Sequence, residues 1–245
     1  NSIFSSEIQI PFFKNKETKP ENILLYKASI LNNVWKIEKI NNNKISSEFF
    51  IIKSNDHSNS DIFFLAHPNE VQNLNINKLT NINDYTETSP AYRANLKIVF
   101  KNGGFSSYQS EYPYSMIKKK GSILSSVHSL ANINADSNYI FIKNIYERPI
   151  HKIFNCFLVN IKTKKIEERF EIKTNFTNFI KLNKKLIRPE IFLSTKEFLG
   201  IPIYASVKNK HVSFEHTHPP HEYVLSKDKF TIIGNLKKEI NEITS

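Results

Sequence analysis

The sequence predicts an all-β protein of mainly antiparallel strands, with one or two short helices. Many short segments alternate apolar and polar residues with a period of two, which is typical of a strand with one buried face. Only five of the 245 residues are glycine, which disfavours the glycine-rich phosphate loops of nucleotide-binding α/β folds. Because 40% of the residues are hydrophobic, the chain can bury a core and is neither disordered nor fibrous.

The predicted strands recur at the spacing of a β-sandwich, and we favour two sandwich-like domains over the alternative of one larger sandwich. A small, polar segment near residues 129–138 divides the chain into an N-terminal domain of residues 1–130 and a C-terminal domain of residues 131–245. In the first half, the predicted strands are residues 23–30, 34–40, 48–54, 61–66 and 94–101. A helix is predicted after Pro68, over residues 70–79.

The second half alternates more regularly. Its predicted strands are residues 139–146, 152–162, 165–173, 176–182, 190–195, 201–208 and 211–218. Within residues 165–173, Ile166, Phe170 and Ile172 are predicted to share the buried face. A C-terminal helix is predicted over residues 236–243, where apolar residues recur at helical spacing.

The net charge is +11, and it comes almost wholly from lysine, since only four of the 34 basic residues are arginine. Lysine lacks the planar fork with which arginine reads bases and clamps phosphates. A basic nucleic-acid-binding protein is therefore the third-ranked function, and nucleic acid is not the expected partner. The abundance of lysine, asparagine and isoleucine also matches the codon usage of an AT-rich genome.

The sequence gives no indication of a compartment. No apolar run is long enough for a transmembrane helix, and no signal peptide is visible. The chain begins with asparagine, which is compatible with a trimmed or mature product, so the compartment stays open. The single cysteine, Cys156, lies in an apolar segment and is assigned to core packing.

Histidines cluster near the C-terminus. On a strand ending near Pro219, His216 and His218 would share one face with apolar residues, and a bend could return His221 or Glu222 toward them. Imidazoles with a carboxylate suit a divalent metal such as zinc, iron, nickel or manganese. The candidate metal ligands are therefore His216, His218, His221 and Glu222. The alternative is that they are surface histidines at the rim of the fold.

The spacing of His216, His218 and Glu222 resembles the first half of the cupin metal motif, with Lys210 where that motif has glycine. The resemblance covers seven residues. It implies a metal-dependent enzyme, namely a cupin-like hydrolase, isomerase or oxygenase. His128, His151 or His211 could complete such a site.

A polar and aromatic loop is predicted over residues 103–114. Tyrosine rings can stack on sugars, and neighbouring polar groups can make directional hydrogen bonds. The candidate ligand-binding residues are Tyr108, Gln109, Glu111, Tyr112 and Tyr114. The flanking Lys118 to Lys120 would suit an acidic ligand. The alternative is that the tyrosines pack against the ends of the sandwich.

Two functions from different classes remain, and the sequence leaves open whether the protein is an enzyme. The favoured one is a non-catalytic β-sandwich binding or assembly protein that recognises a saccharide or other polar ligand through the tyrosine-rich loop. The alternative is the metal-dependent enzyme. Oligomeric state cannot be inferred.

Overall fold

The computed structural model describes residues 3–11, 24–41, 44–45, 49–79, 94–101, 103–109, 122–198, 200–216 and 224–245. Contacts divide the chain into two compact units. The first unit is Asn1–Lys118 with Ile145–His151, and the second is Lys119–Asn144 with Lys152–Ser245. The chain therefore passes from one unit to the other three times. These units do not coincide with residues 1–130 and 131–245, and the domain boundaries inferred from the sequence stay a prediction.

Among its described residues, the first unit forms two antiparallel sheets. Its strands are β1 (Phe4–Pro11), β2 (Leu24–Leu31), β3 (Val34–Lys39), β4 (Lys44–Ile45), β5 (Phe49–Lys53), β6 (Ile62–Ala66), β7 (Asn95–Phe100) and β8 (Phe105–Gln109), and its helix is α1 (Pro68–Gln72). One sheet has the order β4-β5-β1-β7-β8 and the other the order β3-β2-β6. A 3₁₀ turn, Ser54–Asp56, follows β5.

The three-stranded sheet is buried on both faces. On one face, Leu25 and Leu65 pack with Ile10 and Ile52 of the five-stranded sheet. On the other face, a cluster around Trp35 includes Leu79 and contacts Ile145. The Trp35 indole N–H and the Leu79 amide N–H both donate to the carbonyl of Glu147, each at 2.9 Å. These hydrogen bonds join the segment Ile145–His151 to the first unit.

The second unit is a two-sheet sandwich covered by a helix. Its strands are β9 (Leu124–Ser126), β10 (Ser137–Lys143), β11 (Ile153–Asn160), β12 (Lys165–Lys173), β13 (Thr177–Leu182), β14 (Ile191–Thr195), β15 (Ile201–Lys208) and β16 (His211–His216). The sheet orders are β13-β10-β15-β16 and β12-β11-β14-β9. The helices are α2 (Val127–Leu130) and α3 (Lys229–Ile243), and a 3₁₀ turn spans Lys184–Leu186.

Both faces of the sheet β12-β11-β14-β9 are packed. On the inner face, the hydroxyls of Ser125 and Tyr204 lie 3.1 Å apart and join the two sheets of the sandwich. On the outer face, Phe157 and Val159 pack against Ile240 of α3. Every pair of the described strands is antiparallel, so the predicted all-β, sandwich-like fold is confirmed.

Three predictions about individual elements were wrong. The helix expected over residues 70–79 ends at Gln72, because polar turns that begin at Asn73 break it. The C-terminal helix begins at Lys229, seven residues before the predicted start. Ile166 is 41% exposed instead of sharing the buried face with Phe170 and Ile172. A register shift at Leu158/Val159 inserts one residue into β12, and a one-residue shift turns a side chain to the opposite face.

Two tight hairpins form without glycine. The turn between β2 and β3 places Asn32 and Asn33 at φ of 51° and 61°, and the turn between β15 and β16 places Asn209 and Lys210 at 48° and 66°. Two consecutive residues with positive φ produce the two-residue turn whose twist matches the adjoining strands. Asparagine tolerates this conformation better than most residues, so a chain with few glycines can still make such turns.

Candidate functional site

The predicted tyrosine-rich loop begins as a strand. Residues 105–109 form β8, which pairs with β7 so that Tyr108 lies opposite Leu96 and Gln109 opposite Asn95. Phe100 and Gly104 close the preceding turn through the Phe100 N–H, which donates to the Gly104 carbonyl at 3.0 Å. The prediction that Tyr108 and Gln109 lie on a loop was therefore wrong. Glu111, Tyr112 and Tyr114 lie outside the described residues.

A row of hydrogen-bonded polar side chains leads toward Gln109 across one face of the five-stranded sheet. The Asn95 amide donates to the Gln9 side-chain oxygen at 3.0 Å. The Gln9 amide in turn donates to a Glu7 carboxylate oxygen at 2.8 Å. All three side chains are partly exposed. We call Glu7, Gln9 and Asn95 the polar row, and Gln109 occupies the position opposite Asn95 on the next strand.

A cation and an exposed aromatic ring flank the polar row. Lys97 lies opposite Glu7 across the β1–β7 pair, and its Nζ is 4.4 Å from the ring centroid of Phe105. The Phe105 side chain is 62% exposed, although large aromatic residues are usually mostly buried. The sheet face thus presents amide donors and acceptors, a carboxylate, an ammonium group and an accessible ring within three adjacent strands.

Sequence reasoning missed Glu7 and Gln9 because it did not predict β1, and it gave no binding role to Asn95 and Lys97, which lie on the strand predicted over residues 94–101. The signal was present, since Phe4, Ile8 and Ile10 alternate with Ser5, Glu7 and Gln9. The pairing of Gln9 with Asn95 joins residues 86 positions apart, and no local pattern indicates which strands become neighbours.

The structure describes one of the four predicted metal ligands. His216 ends β16 opposite Ile203, and its side chain is half-buried. His218, His221 and Glu222 lie outside the described residues. Among the residues that are described, no group of three or more histidine, cysteine, aspartate or glutamate side chains could hold a metal ion. His211 is exposed at the start of the same strand, and His128 is exposed on α2.

Cys156 is buried in the second unit, as the sequence predicted. Its side chain is fully inaccessible on β11. Burial raises the pKa of the Cys156 thiol to about 12, and a hydrogen bond with the Phe157 backbone offsets only part of that effect. A thiol is a nucleophile only when ionised, so this cysteine packs the core.

Comparison with protein family models, with curated proteins and with solved structures finds no match to this chain. In the part of the chain that the structure describes, no helix is long and apolar enough to cross a membrane.

Proposed function

We propose that the protein is a non-catalytic binding protein that recognises a saccharide or other polar ligand across the polar row and the adjoining strand β8. The observation that carries this proposal is the hydrogen-bonded series Asn95, Gln9 and Glu7, which leads to the position of Gln109 and lies beside the exposed ring of Phe105.

The chemistry of the polar row suits hydroxyl groups. A hydroxyl both donates and accepts hydrogen bonds, so a matching surface needs donors and acceptors side by side. With respect to the side chains that the structure describes, three groups of the polar row keep hydrogen-bonding capacity after the two internal hydrogen bonds. Asn95 keeps its carbonyl oxygen and one N–H, Gln9 keeps one N–H, and Glu7 keeps its second carboxylate oxygen. The internal bonds also fix the side-chain orientations before a ligand arrives, which lowers the entropic cost of binding.

The exposed ring supplies the apolar part of such a surface. The face of a sugar ring is largely C–H, and an aromatic side chain such as Phe105 offers a flat partner for it. Lys97 beside this ring would favour a ligand that carries a carboxylate or sulfate.

A glycan array probed with the purified protein tests the proposal, followed by titration calorimetry with any saccharide that it identifies. The double substitution Gln9→Ala/Asn95→Ala should weaken binding at least tenfold, because each lost hydrogen bond contributes about 1 kcal/mol. Phe105→Ala should also weaken it.

The matched control is Asn69→Ala/Gln72→Ala, which removes one asparagine and one glutamine amide from the exposed surface of α1 in the same unit. This variant should bind like the unaltered protein. Equal losses in the two double variants, or an array with no bound saccharide, would contradict the proposal. Thermal unfolding of each variant separates lost affinity from lost folding.

A further inference from the structure

We infer that the second unit carries a nucleotide-binding site, formed by a lysine-lined cleft and a neighbouring stacked aromatic pair. The site lies on β10 and β13, and it does not depend on the ligand proposed for the first unit. Its ligand is a phosphate group joined to a planar base, either free or as part of a single strand.

The cleft has a volume of about 390 Å³ and lies where β10 begins and β13 ends. We call it the Lys181 cleft. Its lining residues are Ala135, Asp136, Ser137 and Asn138 on one side, and Lys181, Leu182, Asn183 and Lys184 on the other. This volume falls within the range of small-molecule sites, about 300–1,000 Å³.

The cationic groups of the cleft suit a phosphate. Lys181 and Lys184 are both exposed. In the portion of the chain that the structure describes, neither ammonium group is paired with a carboxylate. Lysine binds phosphate as a compact point charge and needs no bidentate geometry. The lysine-rich composition that disfavours base reading is thus compatible with a phosphate site.

The cleft also contains a carboxylate that can accept hydrogen bonds from sugar hydroxyls. One oxygen of Asp136 accepts a hydrogen bond from the Asn209 amide N–H at 2.9 Å, and this contact holds the carboxylate in place. Its second oxygen can still accept. Acidic side chains bind ribose hydroxyls in this way in dinucleotide-binding folds.

The walls of the cleft are held by hydrogen bonds within the unit. Asn138 is almost fully buried, and its side-chain oxygen accepts from the Ser206 hydroxyl at 2.6 Å and from the Asn132 amide N–H at 3.0 Å. On the opposite wall, Asn183 caps the following 3₁₀ turn by accepting from the Lys185 amide N–H at 3.0 Å. A cleft held in this way needs little reorganisation to bind.

The aromatic pair provides a stacking surface next to the cleft. Phe179 is 49% exposed, and its ring is stacked on Tyr139 with centroids 5.0 Å apart and planes inclined by 15°. Phe179 and Lys181 are two residues apart on β13, so their side chains leave the same face of the sheet, about 6.8 Å apart at the backbone. A base stacked on Phe179 would extend the Tyr139–Phe179 stack and place its phosphate near Lys181.

Fluorescence anisotropy with a labelled single strand of 15 uridine nucleotides, whose riboses keep free 2′-hydroxyls, tests the inference. Lys181→Glu/Lys184→Glu should weaken binding more than tenfold, because two phosphate contacts become repulsive. Phe179→Ser should weaken it about tenfold, because stacking on an aromatic side chain contributes substantially to the affinity for each base.

Matched controls separate this site from general attraction to a basic protein. Lys162→Glu/Lys238→Glu lowers the net charge of the same unit by the same amount at exposed positions, and Phe230→Ser removes an exposed phenylalanine from α3. Both controls should bind within about threefold of the unaltered protein. Equal losses in the controls, or no binding of the strand and of adenosine monophosphate, would overturn the inference.

Competition identifies the source of the nucleotide. Displacement of the labelled strand by adenosine monophosphate would assign the site to a free nucleotide, and displacement only by unlabelled strand would assign it to a single-stranded nucleic acid. Either result supports the site. Displacement by inorganic phosphate alone, with unchanged affinity in Phe179→Ser, would overturn it, because the ring would then have no role.

Discussion

Asn178 is the residue whose substitution should destabilise the second unit most clearly. It lies on β13, just after the turn from β12, and is almost fully buried. Its side-chain oxygen accepts from the Lys173 amide N–H at 2.8 Å. Its amide nitrogen lies 2.9–3.1 Å from the carbonyl oxygens of Lys173, Phe176 and Ile142. One side chain thus joins the end of β12, the turn and strand β10.

Two substitutions separate the loss of these hydrogen bonds from electrostatic repulsion. Asn178→Ala leaves the Lys173 N–H and a buried carbonyl without side-chain partners. At about 1–3 kcal/mol for each of these two unsatisfied buried groups, the free energy of unfolding should fall by about 2–6 kcal/mol. Asn178→Asp keeps the shape but directs a carboxylate oxygen at three carbonyl oxygens. An unpaired buried charge costs about 3–5 kcal/mol, so this variant should be at least as unstable at neutral pH.

Urea unfolding followed by far-ultraviolet circular dichroism measures both variants. Below about pH 4 the carboxyl introduced by Asn178→Asp should be protonated and able to donate one hydrogen bond, so the difference from the unaltered protein should shrink. Asn178→Ala should show no such recovery. The reasoning would be refuted if Asn178→Asp unfolded within 1 kcal/mol of the unaltered protein at pH 7, or if its deficit did not depend on pH.

Three further predictions concern single side chains. Burial raises the pKa of Cys156 to about 12, so the stability contributed by its neutral thiol is fully present below about pH 9 and is lost as pH rises toward 12, at a limiting slope of about 1.4 kcal/mol per pH unit. Urea unfolding at pH 9 and 10 should show a loss of about 1 kcal/mol, because the unfolded thiol is half ionised at about pH 9, and Cys156→Ala should show a smaller loss. Lys210→Gly should raise the free energy of unfolding by up to about 1 kcal/mol, since glycine adopts the positive φ of this turn without strain. Lys208→Gly on β15 should instead lower the free energy of unfolding, and a loss of stability in Lys210→Gly with a gain in Lys208→Gly would contradict the turn geometry. Trp35→Phe should lower the free energy of unfolding by about 0.5–1.5 kcal/mol, because the Glu147 carbonyl loses the indole donor and keeps only the Leu79 N–H. A thermal melt that matches the unaltered protein would disprove the role of this contact.

The sequence predicted a strand well where apolar and polar residues alternate within that strand. Strand β12 is an example, and β10, β11, β14, β15 and β16 were also predicted near their observed positions. The exception within β12 is Ile166, whose face depends on a register shift at Leu158/Val159 of the neighbouring strand. No pattern within β12 contains that information, because a bulge is a property of the pair.

The candidate sites could be predicted only in part, because each combines residues that are far apart in sequence. Gln109 was predicted as a ligand residue, but its register with Asn95 and the hydrogen bond from Asn95 to Gln9 depend on the neighbours of β7. The Lys181 cleft likewise requires β10 to pair with β13, which brings Asp136 near Lys181. Periodicity shows which face a residue occupies and gives no information about the strand beside it.

The chain order of the two units affects how the first unit folds while the protein is synthesised on the ribosome. When residue 118 has emerged, the first unit still lacks the segment Ile145–His151. Until residue 147 follows, the Trp35 indole and the Leu79 amide have no Glu147 carbonyl to accept their hydrogen bonds. At about 5–20 residues per second, this delay is on the order of 2–6 seconds. The N-terminal part of the nascent chain therefore spends that interval with an incomplete core, and its exposed apolar side chains remain open to chaperone binding.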